Sequence, residues 1–177
     1  MKKLLLLFLL PASFLFSQTE TKHAFIGVQG CSPCHKTEKQ GKQLEIWQNS
    51  KHSKAYETLK SEEANKIAKE LGHTTPAVET EACLKCHASG YNVDASLIGE
   101  KFKVEDGVQC ETCHGAGADY KSNKIMKDHA AAVANGLIEI NDIETFCKGC
   151  HNPDSPTYKE LNVAEAWEKI KHPVPEK

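Results

Sequence analysis

The sequence predicts a mainly α-helical, single small domain, and three observations support this fold class. Several segments place apolar residues at helical spacing between recognisable start and stop signals, while almost none alternates apolar and polar residues as a half-buried strand would. Hydrophobic residues make up 40% of the chain, and this figure includes an apolar run at its start. The remainder holds few large apolar side chains, so we expect something other than side chains to fill the core.

Capping residues and breakers delimit three predicted helices. Ser61 is a typical N-cap in front of two acidic residues, and Gly72 is a stop signal. Asn162 with Glu165 three residues later resembles a capping box. The predicted helices span 61–71 (SEEANKIAKEL), 122–135 (SNKIMKDHAAAVAN) and 162–171 (NVAEAWEKIK), and the segments 90–107 and 152–157 are predicted loops.

The first residues predict export. Two lysines precede an apolar run that is broken by Pro11, and small or polar residues follow at Ser17 and Gln18. This run is too short for a membrane-spanning helix, and no cysteine near the expected cut would carry a lipid. We therefore expect a signal peptide at 1–17, a single domain at 18–177, a periplasmic or secreted location, and no stable membrane anchor.

The charge pattern argues against nucleic acid as a partner. Acidic residues (24) outnumber basic ones (22), and no arginine is present. A nucleic-acid-binding protein usually shows a basic patch, and phosphate recognition favours arginine. We expect no nucleic-acid partner.

All eight cysteines fall into four Cys-x-x-Cys pairs, and a histidine directly follows each pair. Such pairs occur in redox disulfides, in zinc sites and, when histidine follows, in covalent haem attachment. Neither zinc nor a redox disulfide needs the adjacent histidine, whereas in a c-type site it reaches under the porphyrin to the iron while the two thiols bind the vinyl groups. We therefore predict four haem c groups, attached at Cys31, Cys34 and His35; Cys83, Cys86 and His87; Cys110, Cys113 and His114; and Cys147, Cys150 and His151.

The four motifs recur at unequal intervals, which excludes a fixed-period solenoid. The full expectation is thus a single small domain of helices and loops wrapped around four covalently bound c-type haems, and these haems form its core.

Histidines outside the motifs are candidates for the sixth iron ligand, and most haems are expected to be bis-His ligated. If 36–52 is largely helical, His52 lies about 25 Å from His35, whereas two ligands of one iron are about 4 Å apart. His52 is therefore expected on another haem, and His129 is expected to point inward. His172 can return over the haem of His151 because two prolines lie between them. The five candidates are His23, His52, His73, His129 and His172.

Three stretches resemble the tetrahaem cytochrome c-554 family: WQNSKHSKAYETL (47–59), GVQCETCHGAG (107–117) and the ending AWEKIKHP. The resemblance implies closely stacked haem pairs and a five-coordinate, open haem at His87. His73 and His23 are the remaining candidates for that sixth position. The resemblance also implies these distal assignments: His52 on the haem of His114, His129 on that of His35, and His172 on that of His151.

The function expected from these features is electron transfer between a redox protein donor and a redox protein acceptor, with no catalytic side chain. Two alternatives stay open. An open second haem would allow an enzyme that reduces a small nitrogen oxide. Self-assembly into a haem-based extracellular filament is the other, with His23 completing the haem of a neighbouring copy.

Overall fold

A computed structural model describes residues 23–172, so the predicted signal peptide at 1–17 lies outside the described residues. Within residues 23–172 the chain is mainly helical and forms no strand beyond one isolated bridge between Phe25 and Ile98. This confirms a small, mainly α-helical domain. The α-helices described are α1 (Val28–Cys31), α2 (Gln43–Asn49), α3 (Ala55–Thr58), α4 (Glu62–Glu70), α5 (Glu81–His87), α6 (Cys110–His114), α7 (Asn123–Met126), α8 (His129–Ala134), α9 (Ile143–Lys148) and α10 (Val163–Ile170).

Short 3₁₀ turns connect several of these helices. They lie at Glu38–Gln40, His52–Lys54, Ala77–Glu79, Ala95–Leu97 and Val104–Asp106. Two of them fall inside the predicted loop 90–107, which otherwise has no regular structure. The segment 36–52 is less helical than assumed, because Gly41 and Lys42 both have positive φ angles and interrupt it.

Two predicted helices are confirmed, with the caps that the sequence indicated. The Ser61 hydroxyl accepts a hydrogen bond from the N–H of Ala64 and begins α4, and Gly72 follows its end with φ of 84°. The Asn162 side chain accepts from the N–H of Glu165 and begins α10. Both helices follow from local chemistry that a few neighbouring residues supply.

The prediction of one continuous helix over 122–135 is wrong, since the structure has two helices, α7 and α8. Ser122 caps α7 as expected. Asp128, however, has an extended backbone, and its carboxylate accepts from the N–H of Ala131 to cap a new helix. A capping carboxylate competes with helix continuation, so the chain breaks just before His129.

The polypeptide core is thin and divided between two places. One cluster contains Leu59, Ala68 and Ala77 and packs on the second motif through Cys83 and Leu84. The other buried group lies around the first and third motifs, and its members are Ile26, Val28, Gln109, Glu111 and Tyr120. No residue of 133–172 is buried.

In the part of the chain from 23 to 172, no helix has the length and apolar character that crossing a bilayer requires.

Candidate haem-binding site

Each Cys-x-x-Cys-His motif forms a helical turn. The second motif ends α5, and the third motif is α6 in full. In the first motif the N–H of His35 donates to the carbonyl of Cys31 (3.3 Å), and in the fourth the N–H of His151 donates to that of Cys147 (2.9 Å). Since residues i, i+3 and i+4 share one face of a helix, both thiols and the imidazole of each motif lie on the same side. All eight thiols are free.

Cysteines from different motifs meet, and these contacts define the order of the motifs in space. The Cys31 thiol of the first motif is hydrogen-bonded to Cys110 of the third, and this contact, together with burial, raises the pKa of Cys31. Burial raises the pKa of Cys113 to about 11, and the neighbouring Cys147 of the fourth motif contributes. Burial likewise raises the pKa of Cys150 to about 11, followed by the effect of Cys86 in the second motif. The motifs therefore lie in the order first, third, fourth, second.

The ring of His87 in the second motif is held by one hydrogen bond. Its Nδ1 lies 2.8 Å from the carbonyl oxygen of Ala55. A carbonyl can only accept, so Nδ1 carries the proton and Nε2 keeps the lone pair that a metal needs. An apolar cavity of about 470 Å³ lies beside this motif, with Leu84, Tyr56 and Phe102 in its lining. Leu84 of the motif lines this cavity, whereas Cys83, Cys86 and His87 do not.

Two motif histidines lie against histidines from remote segments. The ring centres of His52 and His151 are 6.1 Å apart, and those of His114 and His172 are 5.7 Å apart. Two imidazoles on one iron, each about 2.0–2.1 Å from the metal, would have ring centres about 6 Å apart. Both pairs therefore fit the two axial positions of a haem iron.

The surroundings of His52 and His114 lower the pKa of each imidazole. Burial lowers the pKa of His52, with a smaller effect of the neighbouring His151. Burial lowers the pKa of His114 as well, followed by the charges of His172 and His35. A lower pKa favours the neutral imidazole, which is the form that binds iron.

The ring contacts join other partners than those the family resemblance implied for the haem irons, and the ligand assignments themselves stay predictions. His52 was expected with His114 and His172 with His151, and the structure pairs them the other way round. Between the two prolines and His172 the chain forms α10, so the prolines alone do not set the position of His172. After α10, Lys171 is extended (ψ 146°) and carries His172 to the third motif.

The other three candidate histidines have no imidazole against them within residues 23–172. The side chain of His129 is 72% exposed, and its Nε2 lies 3.6 Å from Glu139. The prediction that His129 points into the interior of the helical domain is therefore wrong. The break at Asp128 removes it from the face of the helix before it. His73 is half-buried behind the end of α4, and His23 is hydrogen-bonded through Nδ1 to Asp119 (2.6 Å).

Sequence reasoning missed three buried polar side chains near the third motif: Gln109, Glu111 and Tyr120. The Tyr120 hydroxyl donates to the carbonyl oxygens of His114 and Gly115, both at 3.0 Å. Gln109 accepts from the N–H of Val28 and donates to the carbonyl of Lys103. A glutamate inside a Cys-x-x-Cys-His motif is usually taken as solvated, so the sequence carried no signal of its burial.

Comparison with known proteins places the chain among c-type cytochromes. Residues 30–115, which contain the first three motifs, match the family model for cytochrome c554 and c-prime. Cytochrome c-554 of Nitrosomonas europaea is 31% identical over 140 residues, which cover 72% of this chain and 57% of that protein. The match thus spans little more than half the length of the curated relative. No solved structure matches the chain. On these findings the chain belongs to the cytochrome c-554 family.

Proposed function

We propose that this protein is a periplasmic tetrahaem c-type cytochrome that carries electrons between two redox proteins. The observation that carries the proposal is the pair of imidazole contacts, each of which brings a motif histidine to about 6 Å from a histidine of a distant segment. Family membership, the four motifs and the predicted signal peptide support it. Haem c is attached outside the cytoplasm, which agrees with export.

When bound, a haem iron takes up and gives up one electron. The residues of this chain hold and orient it: each motif supplies two thiols and a proximal imidazole, and His52 and His172 supply distal imidazoles for the fourth and third sites. By family resemblance, His129 is assigned to the first site. Cysteines of the first and third motifs and of the fourth and second motifs are hydrogen-bonded, and Cys147 of the fourth motif lies near enough to Cys113 of the third to act on its pKa, which supports a single row of four attachment sites.

Intact mass of the purified protein tests the number of haems. We expect a mass that corresponds to four covalent haems on a chain without residues 1–17. Fewer haems, or bound zinc, would contradict the proposal.

The ligand assignment is tested with His52→Ala and His172→Ala. Each variant should convert one low-spin haem to high-spin, as measured by electron paramagnetic resonance and visible spectra, because each removes the strong sixth ligand of one iron. His73→Ala is the matched control and should leave the distal ligation of the third and fourth sites unchanged. Unchanged spectra in both His52→Ala and His172→Ala would refute the assignment.

A second candidate function is binding or reduction of a small ligand at the second site. It is favoured by the family resemblance together with one observation: within residues 23–172, no imidazole lies against the ring of His87, a feature that it shares with His35. Carbon monoxide added to the reduced protein should then change the spectrum of one haem in four. If no ligand binds, the second site is closed and the electron-carrier function stands alone.

A further inference from the structure

Glu111, which lies inside the third motif, is a buried carboxylate that the proposed electron transfer does not itself require. Only 3% of the surface of Glu111 is exposed to solvent. Its two oxygens accept three hydrogen bonds from backbone N–H groups: Ile26 at 2.9 Å, Gly27 at 2.8 Å and Gly117 at 2.7 Å. A carboxylate accepts hydrogen bonds and donates none, so three donors converging on one side chain match an anion.

The carboxylate lies between two attachment sites rather than at one. It directly follows Cys110 of the third motif, and its donors Ile26 and Gly27 lead into α1, which ends at Cys31 of the first motif. Its charge acts on both thiols. The pKa of Cys31 is raised by its contact with Cys110, by burial and, to a smaller extent, by the charge of Glu111. The pKa of Cys110 is lowered mainly by its hydrogen bond with Cys31, and the charge of Glu111 opposes this shift.

Other charges nearby offset this anion only in part. Lys121 acts on Cys31 with the opposite sign, but its side chain is exposed and therefore screened by solvent. Asp106 adds a further negative charge near Cys110. Among the residues described in 23–172, Glu111 is the one charged residue that is buried, and it lies at the junction of the first and third motifs.

The paired second and fourth motifs have a different charge pattern. Lys148 occupies the position in the fourth motif that Glu111 occupies in the third, and Lys85 lies inside the second. Both lysines are exposed, and Lys148 is paired with Glu144. Solvent screens these charges, so the strong built-in charge is at the junction of the first and third motifs.

We propose that Glu111 is a fixed anion that lowers the reduction potentials of the first and third haems together. Reduction of a ferric haem removes one unit of positive charge, so a nearby anion stabilises the oxidised form and lowers the potential. In a buried site the interaction is screened little, and charge and burial are among the factors that set haem potentials. This inference rests on the proposed haem binding at these two motifs and adds a residue that tunes it.

The test is Glu111→Gln, which removes the charge and keeps the shape, with Lys148→Gln as a matched control at the equivalent motif position. Spectroelectrochemical titration should show two of the four potentials shifted upward in Glu111→Gln and little change in Lys148→Gln. Haem content is counted first by intact mass. A parent protein without four haems would overturn the proposed function, whereas four haems in Glu111→Gln with unchanged potentials would overturn the role of Glu111 alone.

A second variant covers the case in which Glu111→Gln does not mature. Glu111→Asp keeps the charge, so its potentials should stay close to those of the parent. Infrared difference spectra between oxidised and reduced protein should show an ionised carboxylate band that shifts between the parent and Glu111→Asp. If no band that differs between the parent and Glu111→Asp responds to reduction, the Glu111 carboxylate does not sense these haems and the inference is wrong.

Discussion

The junction of the first and third motifs and the region of the fourth motif are built in opposite ways. At the junction, side chains of Gln109 and Glu111 bind three successive N–H groups of residues 26–28, and Tyr120 binds the end of the third motif. In the fourth-motif region, α9 and α10 have good N-caps in Asp142 and Asn162, yet no residue of 133–172 is buried.

This difference shows which parts of the chain can order themselves. Helices of six and eight residues are unstable alone in water, whatever their caps, because helix nucleation is costly and tertiary packing supplies most of the stability. The junction has that packing from polypeptide alone. The haem proposed at the fourth motif would supply it there, and we expect folding of this region to be coupled to cofactor attachment as in other small metal-binding domains.

The largest expected effect comes from removing the fourth haem. In Cys147→Ala with Cys150→Ala, the amides of α9 should lose nearly all protection in hydrogen–deuterium exchange, because the haem proposed at this motif is gone. Those of α10 should lose less, because His172 still ties the end of that helix to the third site. Amides of residues 26–28 and 117 should keep theirs, since Gln109 and Glu111 still bind them. Full protection of α9 in this variant would show that polypeptide contacts are sufficient and would remove the contrast between the two regions.

A smaller effect is expected from Gly27→Ala at the junction. Gly27 has φ of 72°, and an added Cβ would lie 2.7 Å from Cα of Phe102 and 2.9 Å from the carbonyl oxygen of Lys101. Left-handed strain and the clash with backbone together should lower the free energy of unfolding by about 3 kcal/mol. Chemical denaturation of the holoprotein measures this change.

Gly72→Ala is the matched control for Gly27→Ala. Gly72 also has positive φ (84°), but no atom lies within 4 Å of an added Cβ. Its substitution should therefore cost only the conformational penalty, about 1 kcal/mol. Equal losses in the two variants would mean that the close approach of residues 27 and 102 adds nothing to stability.

The smallest expected effect is at the N-cap of α10. Asn162→Ala removes the acceptor for the N–H of Glu165 and should destabilise this helix by about 1 kcal/mol. Because α10 carries His172 to the third site, the high-spin fraction of one haem should rise slightly on warming. Asn162→Ser restores an acceptor and should behave as the parent. A loss as large in Asn162→Ser as in Asn162→Ala would exclude capping as the cause.

Local sequence determined the features that depend on a few neighbouring residues. The four motifs, the helical turn that places their thiols and imidazole on one side, and the capped helices α4 and α10 all follow from spacing within one or two helical turns. The break at Asp128 is also local, yet it was missed. An aspartate at this position is compatible both with an exposed residue inside a helix and with an N-cap. The backbone conformation of Asp128, which makes it a cap, cannot be inferred from the sequence.

Tertiary structure alone decided which distant groups meet. The pairing of His52 with His151 and of His114 with His172, and the order of the motifs in space, depend on where each connecting segment turns. The family resemblance implied other partners for His52 and His172 on the haem irons, and those ligand assignments stay predictions. Likewise, Glu111 is an ordinary charged residue in the sequence, and it becomes a buried anion only because residues 26–28 and 117 close over it with their N–H groups. Such contacts join segments far apart in the chain, so no local rule of spacing or propensity contains them.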